Sequence, residues 1–176
     1  TDHDGNQPLY IYDEKHRTKE EIRPDRSRII NEYDENGNLT VLNENGNKTF
    51  YTYDDKGNKI RASYGDGSKE EWFYDDFNML TMHVARDGLT TRYEMDERGN
   101  IISCSMGGRT LYTQGVNEKG LIIWRTVCGQ KNVRSIFSYD DFGNLVSESC
   151  GGVNKQYFYD ERKRVTKITL DGKTVS

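Results

Sequence analysis

The sequence predicts an all-β fold, an antiparallel β-meander or hairpin solenoid of about eight repeats of about 21 residues each. Three observations lead to this prediction. A tyrosine–aspartate motif recurs in phase along the chain, a second turn recurs in step with it, and the segments between the turns have the length of strands. These segments of about six residues are too short for helices and are rich in β-branched and aromatic residues.

The first observation is the motif Tyr-Asp-x-x-Gly-Asn, which occurs in full at residues 33–38, 53–58 and 139–144. Weaker copies start at residues 12, 74, 95, 116 and 159, so that successive copies begin 20 to 23 residues apart. Aspartate is favoured at the first position of a type I turn and glycine at the fourth, where the backbone is left-handed. The motif therefore predicts a wide turn. The residues that carry this signature are Tyr12, Asp13, Tyr33, Asp34, Gly37, Tyr53, Asp54, Gly57, Tyr74, Asp75, Asp96, Gly99, Gly120, Tyr139, Asp140, Gly143, Tyr159 and Asp160.

The second turn has a different chemistry and falls between the copies of the motif. Most of its copies contain glycine, and one near residue 25 has Pro24-Asp25 instead. Asn-Gly and Asp-Gly between strands indicate two-residue hairpins, because both central residues need a positive φ. The glycine copies are Asp4-Gly5, Asn45-Gly46, Asp66-Gly67, Asp87-Gly88, Gly107-Gly108, Cys128-Gly129, Gly151-Gly152 and Asp171-Gly172.

The third observation is the alternation within the predicted strands. The motif tyrosine and the residue two positions before it share a face, as in Tyr51/Tyr53 and Trp72/Tyr74. Equivalent residues of successive repeats are two strands, or roughly 10 Å, apart. The pattern predicts a ladder of aromatic side chains on a twisted, curling sheet of about 16 strands. We expect each repeat to contact mainly its neighbours.

Composition and charge exclude several classes of function. The net charge is −4 without a basic patch, which argues against a nucleic-acid partner. No apolar run approaches the ~18 residues of a membrane helix, so membrane insertion is not expected. Hydrophobic residues make up only 33% of the chain, which favours a sheet with little conventional core. The aromatic content of 11% argues against disorder.

The motif aspartates are candidates for metal binding or catalysis, but each has a turn of its own to cap. The sequence favours capping over weak Ca²⁺ binding along the edge, and Ca²⁺ binding over acid–base catalysis. His3, His16 and His83 are isolated and lack metal-ligand spacing. We therefore expect no catalytic residue, no metal and no cofactor.

Cysteine and tryptophan leave alternatives open. Cys104, Cys128 and Cys150 are odd in number, which argues against a disulfide framework. Small buried side chains are favoured for them over a disulfide or intermolecular link, and reactive chemistry comes last. Periodic aromatics usually serve packing, but exposed rings can also stack on sugars in a multivalent array. Trp72 and Trp124 are the residues that could bind glycans in this way.

The eight in-phase motifs resemble the YD repeats of the Rhs family, and the resemblance covers nearly the whole chain. That family includes bacterial Rhs polymorphic toxins, wall-associated proteins, Tc-type insecticidal toxin subunits and animal teneurins. The resemblance implies a long β-sheet that spirals into a hollow shell around a toxin domain. The Asp-Pro motif with which some members cleave themselves is absent, because the only prolines follow Gln7 and Arg23.

These observations together predict a non-catalytic scaffold. We expect residues 1–176 to form one YD-repeat array, a segment of a longer shell that is secreted or exposed at a bacterial cell surface. Its partners would be the remainder of that protein and an enclosed effector domain, and its free strand edges could self-associate. The alternative is a stand-alone cell-surface module for adhesion or glycan binding.

Overall fold

The computed structural model describes residues 7–175, so the predicted Asp4-Gly5 turn and His3 lie outside the described part. The described chain contains strands connected by turns, and no helix of it is long and apolar enough to span a membrane. The strands are β1 (Leu9–Tyr12), β2 (Thr18–Ile22), β3 (Arg28–Tyr33), β4 (Leu39–Glu44), β5 (Asn47–Tyr53), β6 (Lys59–Tyr64), β7 (Lys69–Tyr74), β8 (Leu80–Val84), β9 (Thr90–Met95), β10 (Ile101–Met106), β11 (Arg109–Val116), β12 (Ile122–Val127), β13 (Val133–Tyr139), β14 (Leu145–Cys150), β15 (Val153–Tyr159), β16 (Val165–Leu170) and β17 (Lys173–Thr174).

The chain divides into two compact units, Thr1–Thr90 and Thr91–Ser176. In the first unit β1 to β8 pair in sequence order, each strand antiparallel to the next. In the second unit β9 to β17 do the same. The predicted all-β antiparallel meander is thus confirmed. The described residues form seventeen strands, one more than predicted, because the two-residue β17 begins another repeat.

The tyrosine–aspartate turns are three-residue loops that begin at the motif aspartate. In the copy at Asp54, the backbone N–H of Asp54 donates to the carbonyl of Asn58 (2.9 Å), and the N–H of Gly57 donates to the carbonyl of Asp54 (3.0 Å). This is a type I turn followed by a left-handed residue. All eight copies have a φ of 61° to 95° at this left-handed position, which is occupied by His16, Gly37, Gly57, Asn78, Gly99, Gly120, Gly143 and Lys163.

The second turns fall into two classes, and the two-residue prediction is right for only part of them. Both central residues have positive φ at Asn45-Gly46, Gly107-Gly108, Gly151-Gly152 and Asp171-Gly172, as a two-residue hairpin requires. The turns at 64–68 and 85–89 are instead three-residue loops in which only the glycine is left-handed, as is the turn at 23–27 with Arg26 in that position.

In the wider turns the aspartate side chain holds the loop, whereas the same Asp-Gly pair at Asp171 forms a two-residue hairpin. Oδ1 of Asp66 accepts the backbone N–H of Ser68, and Oδ1 of Asp87 accepts that of Leu89, each at 2.9 Å. This bond to the N–H two residues ahead stabilises a right-handed aspartate, which the two-residue turn would not allow. The predicted Cys128-Gly129 hairpin is a longer loop, with the N–H of Gly129 bonded to Oδ1 of Asn132.

A β-bulge follows every tyrosine–aspartate turn. The register of the two strands that the turn joins shifts at the motif tyrosine, so that Tyr53 pairs with Lys59 while Thr52 pairs with Arg61. The same shift occurs beside all eight copies of the turn. A bulge adds a residue to one strand, breaks the ladder locally and increases the twist. The spacing of the motifs alone does not predict this bulge.

The two sheet faces differ in composition and burial. We call the face that carries the motif tyrosines the tyrosine face. Along β5 from Thr49 and along β15 from Lys155 its residues are half-buried, whereas those of the opposite face are exposed. Among the described hydrophobic residues only Ala62 and Cys104 are fully buried. The sheet is therefore stabilised by side-by-side packing on one face, as the low apolar content predicts.

One residue on the opposite face must be glycine because a tryptophan ring lies close to its backbone. Gly115 on β11 pairs directly with Trp124 on β12. A Cβ atom at residue 115 would lie 2.7 Å from Cε2 of the Trp124 ring. The indole therefore covers the backbone of Gly115, in the way that aromatic side chains cover glycines in sheets.

The left-handed residue of the first turn generates a prediction. His16 has a φ of 61°, which costs a residue with a Cβ about 1 kcal/mol relative to glycine. We expect His16→Gly to raise the free energy of unfolding by about this amount in urea denaturation. Glu14→Gly, in the same turn but without a positive φ, is the matched control and should lower it, because glycine adds entropy to the unfolded chain. Equal effects of the two substitutions would contradict the argument.

Candidate functional site

The recurring site of this molecule is the junction at each tyrosine–aspartate turn. In the copy at Asp54, Oδ1 accepts the backbone N–H of Lys56 (3.0 Å) and that of Asn58 (2.8 Å). Oδ2 accepts the side-chain amide of Asn58 (2.9 Å). The carboxylate thus holds the whole loop in one conformation, and both of its oxygens are used within the turn.

Other repeats reproduce this geometry with different partners. In the first and last copies the amide of asparagine is replaced by a guanidinium, so that Arg17 binds Asp13 and Arg164 binds Asp160 through Nε. In the sixth copy Asn117 replaces the aspartate, and its Oδ1 accepts the backbone N–H groups of Lys119 and Leu121 at 3.0 Å each. A side-chain oxygen that accepts the backbone N–H groups of the turn is therefore common to these copies, whereas a negative charge on it is not.

The electrostatics of the turns follow from these bonds. The Asn144 amide and then backbone N–H groups hold the pKa of Asp140 below its ordinary value of 3.8, although partial desolvation opposes them. The same order of causes lowers the pKa of Asp34 and Asp54. For Asp13 and Asp160 the largest cause of the lowered pKa is the backbone N–H of the arginine four residues later. These carboxylates are ionised at neutral pH and bound by donors from their own turn.

Neighbouring turns are also joined by lysines. The ammonium of Lys56 donates to the carbonyl of Asp76 in the next turn (2.9 Å). Lys15 and Lys119 stand at the same position of their turns and donate to the carbonyls of Glu35 (3.2 Å) and Asp141 (2.7 Å). These hydrogen bonds form a further contact between neighbouring repeats at the edge of the sheet.

The motif tyrosine makes the second recurring contact. Its hydroxyl donates to the backbone carbonyl of the first residue in the strand that follows the preceding tyrosine–aspartate turn. The five bonds are Tyr33 to Thr18 (2.9 Å), Tyr53 to Leu39 (2.8 Å), Tyr74 to Lys59 (3.2 Å), Tyr139 to Ile122 (2.9 Å) and Tyr159 to Leu145 (2.7 Å). Burial is the first cause that raises the pKa of the Tyr53 hydroxyl, which therefore remains a proton donor at neutral pH.

The carbonyls that these hydroxyls bind lie where the backbone ladder ends. The ladder between β4 and β5 stops at Val41 and Phe50, so that Leu39 lies beyond its last pair. The ladder between β14 and β15 stops at Ser147 and Gln156 in the same way. The bulge beside the turn opens this gap, and the tyrosine closes it from the neighbouring repeat. The hydroxyl thus satisfies a carbonyl that has no strand partner there.

One repeat achieves the same result without tyrosine. The sixth copy has Val116 at the motif position, and Gln114 lies two residues earlier on the same face. The Gln114 amide donates to the carbonyl of Ile101 (2.6 Å), which is the equivalent acceptor. Arg125 in turn donates to the Gln114 side-chain oxygen, which fixes the orientation of the amide.

The side chains at these junctions stabilise the sheet, and the structure assigns them no reactive role. Among residues 7–175, no group of three or more histidine, cysteine or acidic side chains could hold a metal ion. His83 stacks on the ring of Trp72 with centroids 5.1 Å apart, and His16 lies exposed in a turn. All three cysteines are free, Cys104 being buried on β10. The absence of a cofactor and of catalysis stays a prediction.

The two tryptophans proposed for glycan stacking lie on different faces. Trp72 belongs to the tyrosine face, whereas the pairing of Trp124 with Gly115 and Ile136 places it on the opposite face. Each ring is already in contact with side chains of the chain itself. Lys59 lies 4.2 Å from the centroid of Trp72, which His83 also covers, and Arg134 lies 4.3 Å from that of Trp124. Glycan stacking at these residues stays a prediction.

The hydroxyl bond of Tyr53 can be tested by removing a single atom. We expect Tyr53→Phe to lower the free energy of unfolding by about 1–2 kcal/mol, because the Leu39 carbonyl loses its donor in a half-buried gap. Tyr51→Phe is the matched control, since Tyr51 lies on the same strand and face without such a bond. Urea denaturation compares the two, and a loss of the same size in both would contradict the role of the bond.

The aspartate of the seventh repeat predicts a pH dependence. Because the folded state depresses the pKa of Asp140 below 3.8, its contribution to stability is present above that value. It is lost as the pH falls below about 4 and through the folded pKa. We expect Asp140→Asn to reduce this acid sensitivity with little loss at pH 7, as Asn117 serves the same turn without charge. Asp140→Ala should be less stable at every pH, and identical pH profiles for wild type and Asp140→Asn would refute the assignment.

Comparison with known proteins gives a consistent result. A family model described as Teneurin YD-shell matches residues 9–170. No curated protein sequence matches the chain significantly. The fold is similar to part of a Photorhabdus luminescens Tc holotoxin pore, with a TM-score of 0.66 and 17% identity over 93% of this chain and 12% of that chain.

A second solved structure, the TcdB2–TccC3 complex without its hypervariable C-terminal region, matches with a TM-score of 0.70 and 17% identity. That match covers 93% of this chain and 10% of the other. This chain thus spans only about a tenth of the length of the solved chains that it matches, and at this identity the likeness concerns the fold. The repeated turns and the family match over nearly the whole chain lead to one conclusion: the chain belongs to the Teneurin YD-shell family.

Proposed function

We propose that this chain is a wall segment of a β-shell that encloses or presents an effector domain. The shell would be part of a longer protein that is secreted or exposed at the cell surface. The proposal follows from what the junctions do: most repeats are bonded to the preceding one by a tyrosine hydroxyl or the Gln114 amide, and several also by a lysine. A wall built in this way needs no core beneath it.

The main observation behind the proposal is that polar side chains stabilise the turns and the contacts between repeats. The motif aspartates hold their own turns, and the motif tyrosines hold the neighbouring repeat. On the opposite face, Glu71 is paired with both Arg61 (2.8 Å) and Lys69 (2.9 Å), so that its charge is also satisfied within the sheet. Side chains that are engaged in this way are poorly suited to acid–base chemistry, and we infer a non-catalytic role.

The solved structures with a similar fold support the proposal that this chain is part of a shell. The matching chains belong to Tc toxin assemblies and are about ten times longer than the part that this chain covers. A wall segment of the same fold fits a larger compartment of which it forms one portion.

The alternative function, glycan binding or adhesion by a stand-alone module, has less support. The rings of Trp72 and Trp124 are covered by cationic or imidazole side chains and lie on opposite faces. A multivalent sugar platform needs rings that are uncovered and share one face. We therefore prefer the wall.

The size of the native polypeptide tests the proposal. An antibody raised against this chain is used to blot secreted and cell-surface fractions of the source organism, with antibody pre-absorbed on the purified chain as the control. We expect a band several times heavier than 20.4 kDa, the mass of this chain. Limited trypsin digestion of that native polypeptide should spare a region outside the repeats, and prior acid treatment should expose it. A band near 20.4 kDa would refute the shell and favour partner binding.

A further inference from the structure

The two kinds of turn lie at opposite edges of each unit, because consecutive strands of a meander run antiparallel. We call the row of tyrosine–aspartate turns the acidic edge and the row of second turns the basic edge. Counted with the two residues that follow each turn, the tyrosine–aspartate turns carry fifteen acidic and ten basic residues. The eight second turns from Arg23 onward carry five acidic and ten basic residues. The two edges therefore have net charges of opposite sign, and this holds within each unit.

The charge of the acidic edge comes mainly from the second residue of each turn. This residue is acidic and exposed in all eight copies, whereas the motif residue before it is bonded within the turn. Among residues 7–175, none of these eight carboxylates forms an ion pair. Lys56 and Lys119 bind the backbone carbonyls of this row and leave its carboxylates unpaired. The eight residues are Glu14, Glu35, Asp55, Asp76, Glu97, Glu118, Asp141 and Glu161.

The basic edge carries cations in a matching arrangement. In six of the eight second turns from Arg23 onward, the first or second residue of the strand that follows is an exposed lysine or arginine. Equivalent residues of neighbouring repeats are two strands, or roughly 10 Å, apart on both edges. A row of carboxylates and a row of cations with the same spacing can pair along their length. The six cations are Arg28, Lys48, Lys69, Arg109, Arg134 and Lys173.

Both edges also carry exposed apolar side chains. Phe77 and Phe142 lie at the tips of their turns, each directly after one of the unpaired carboxylates, and keep 86% and 79% of their surface. The motif aspartate accepts the backbone N–H of each at 3.0 Å, so that both rings sit on ordered loops. At the basic edge Leu89, Val127 and Val133 are exposed. The two edges are thus complementary in apolar contacts as well as in charge.

We infer that the acidic edge of one stretch of these repeats binds the basic edge of another stretch, so that two sheets join through their turns. The inference rests on the proposed function, because a wall wider than one row of repeats needs a contact between neighbouring rows. In a longer array both stretches belong to one polypeptide, and for the isolated chain the partner is a second copy. The contact leaves the backbone ladders unchanged, and every repeat can take part in it.

Complementation between two variants tests this contact. The first variant changes the acidic edge through Asp76→Asn, Phe77→Asn, Asp141→Asn and Phe142→Asn, and Asn36 shows that the tip position accepts asparagine. The second variant changes the basic edge through Lys48→Gln, Arg109→Gln and Lys131→Gln. Each variant keeps one edge intact, so each alone should associate at least about tenfold more weakly than the wild type.

The mixture of the two variants gives the decisive result. The intact acidic edge of the second variant should bind the intact basic edge of the first, with the dissociation constant of the wild type. Because the two changed edges cannot extend the contact, sedimentation equilibrium should show a complex of two chains, each of 20.4 kDa. The wild type should instead form an open series of larger species, since its two contact surfaces differ.

Ionic strength provides a second measurement. A rise from about 0.1 M to about 1 M shortens the Debye length from about 10 Å to about 3 Å and should weaken the mixed complex at least about tenfold. Glu32→Gln with Glu94→Gln is the matched control, because both residues are exposed acids within strands. This control should leave the dissociation constant unchanged, and so should the addition of EDTA.

Three results would overturn the inference: a wild-type chain that stays monomeric up to millimolar concentration, a mixture that binds no more tightly than either variant alone, or an association that EDTA abolishes. The last result would assign the acidic edge to a bridging divalent cation. Far-ultraviolet circular dichroism establishes that each variant retains its sheet. Failed complementation together with a native band several times heavier than 20.4 kDa would reject this contact and leave the shell wall supported.

Discussion

The contact on which the rest of the structure depends is the hydrogen bond from a tyrosine hydroxyl to a backbone carbonyl of the preceding repeat. Each tyrosine–aspartate turn introduces a bulge, and the bulge leaves a carbonyl beyond the end of the ladder, as at Leu39. An unpaired carbonyl in a half-buried gap would destabilise the sheet. The tyrosine ring fills the gap and its hydroxyl satisfies the carbonyl, so one side chain meets both requirements. Aspartate then fixes the turn that places the next tyrosine.

The repeats that depart from the motif show which parts of it are physically required. Asn117 retains the acceptor oxygen without the charge, and Gln114 retains a donor for the Ile101 carbonyl without a tyrosine. Asn78 and Lys163 retain the left-handed backbone without a glycine. The acceptor oxygen of the turn and the left-handed angle are therefore common to the repeats, the donor to the preceding carbonyl recurs in most of them, and different residue types provide each.

Much of the fold was predictable because its signals are local. The period of the motif gave the repeat, the segment length gave strands, and the Asp-x-x-Gly spacing gave a type I turn with a left-handed fourth residue, as observed at Asp54 and Gly57. The alternation also placed Tyr51 and Tyr53 on one face. These features depend on neighbours within a few residues, for which sequence rules are strong.

The parts that could not be predicted depend on contacts between strands. The bulge is a property of the register, which the pattern alone does not define, and the tyrosine bond follows from the gap that the bulge opens. The loops at Asp66 and Asp87 contain the residue pair of a two-residue hairpin but form a wider turn held by side-chain bonds, whereas the same pair at Asp171 forms the hairpin. The face of Trp72 follows from its alternation with Tyr74, but that of Trp124 could be assigned only from pairing, because Trp124 is in a strand that follows a bulge.

The direction of the tyrosine bond has a consequence for how such a wall can be made. In each of the six bonded copies the donor follows its acceptor by 13 to 17 residues, as Tyr139 follows Ile122. During synthesis the carbonyl side of every junction therefore leaves the ribosome first, and the tyrosine that closes it arrives less than one repeat later. Each new strand can therefore pair with a strand that has already folded, and each step closes only a short loop. Each further repeat thus adds only a small loop-closure entropy to folding, however long the array becomes.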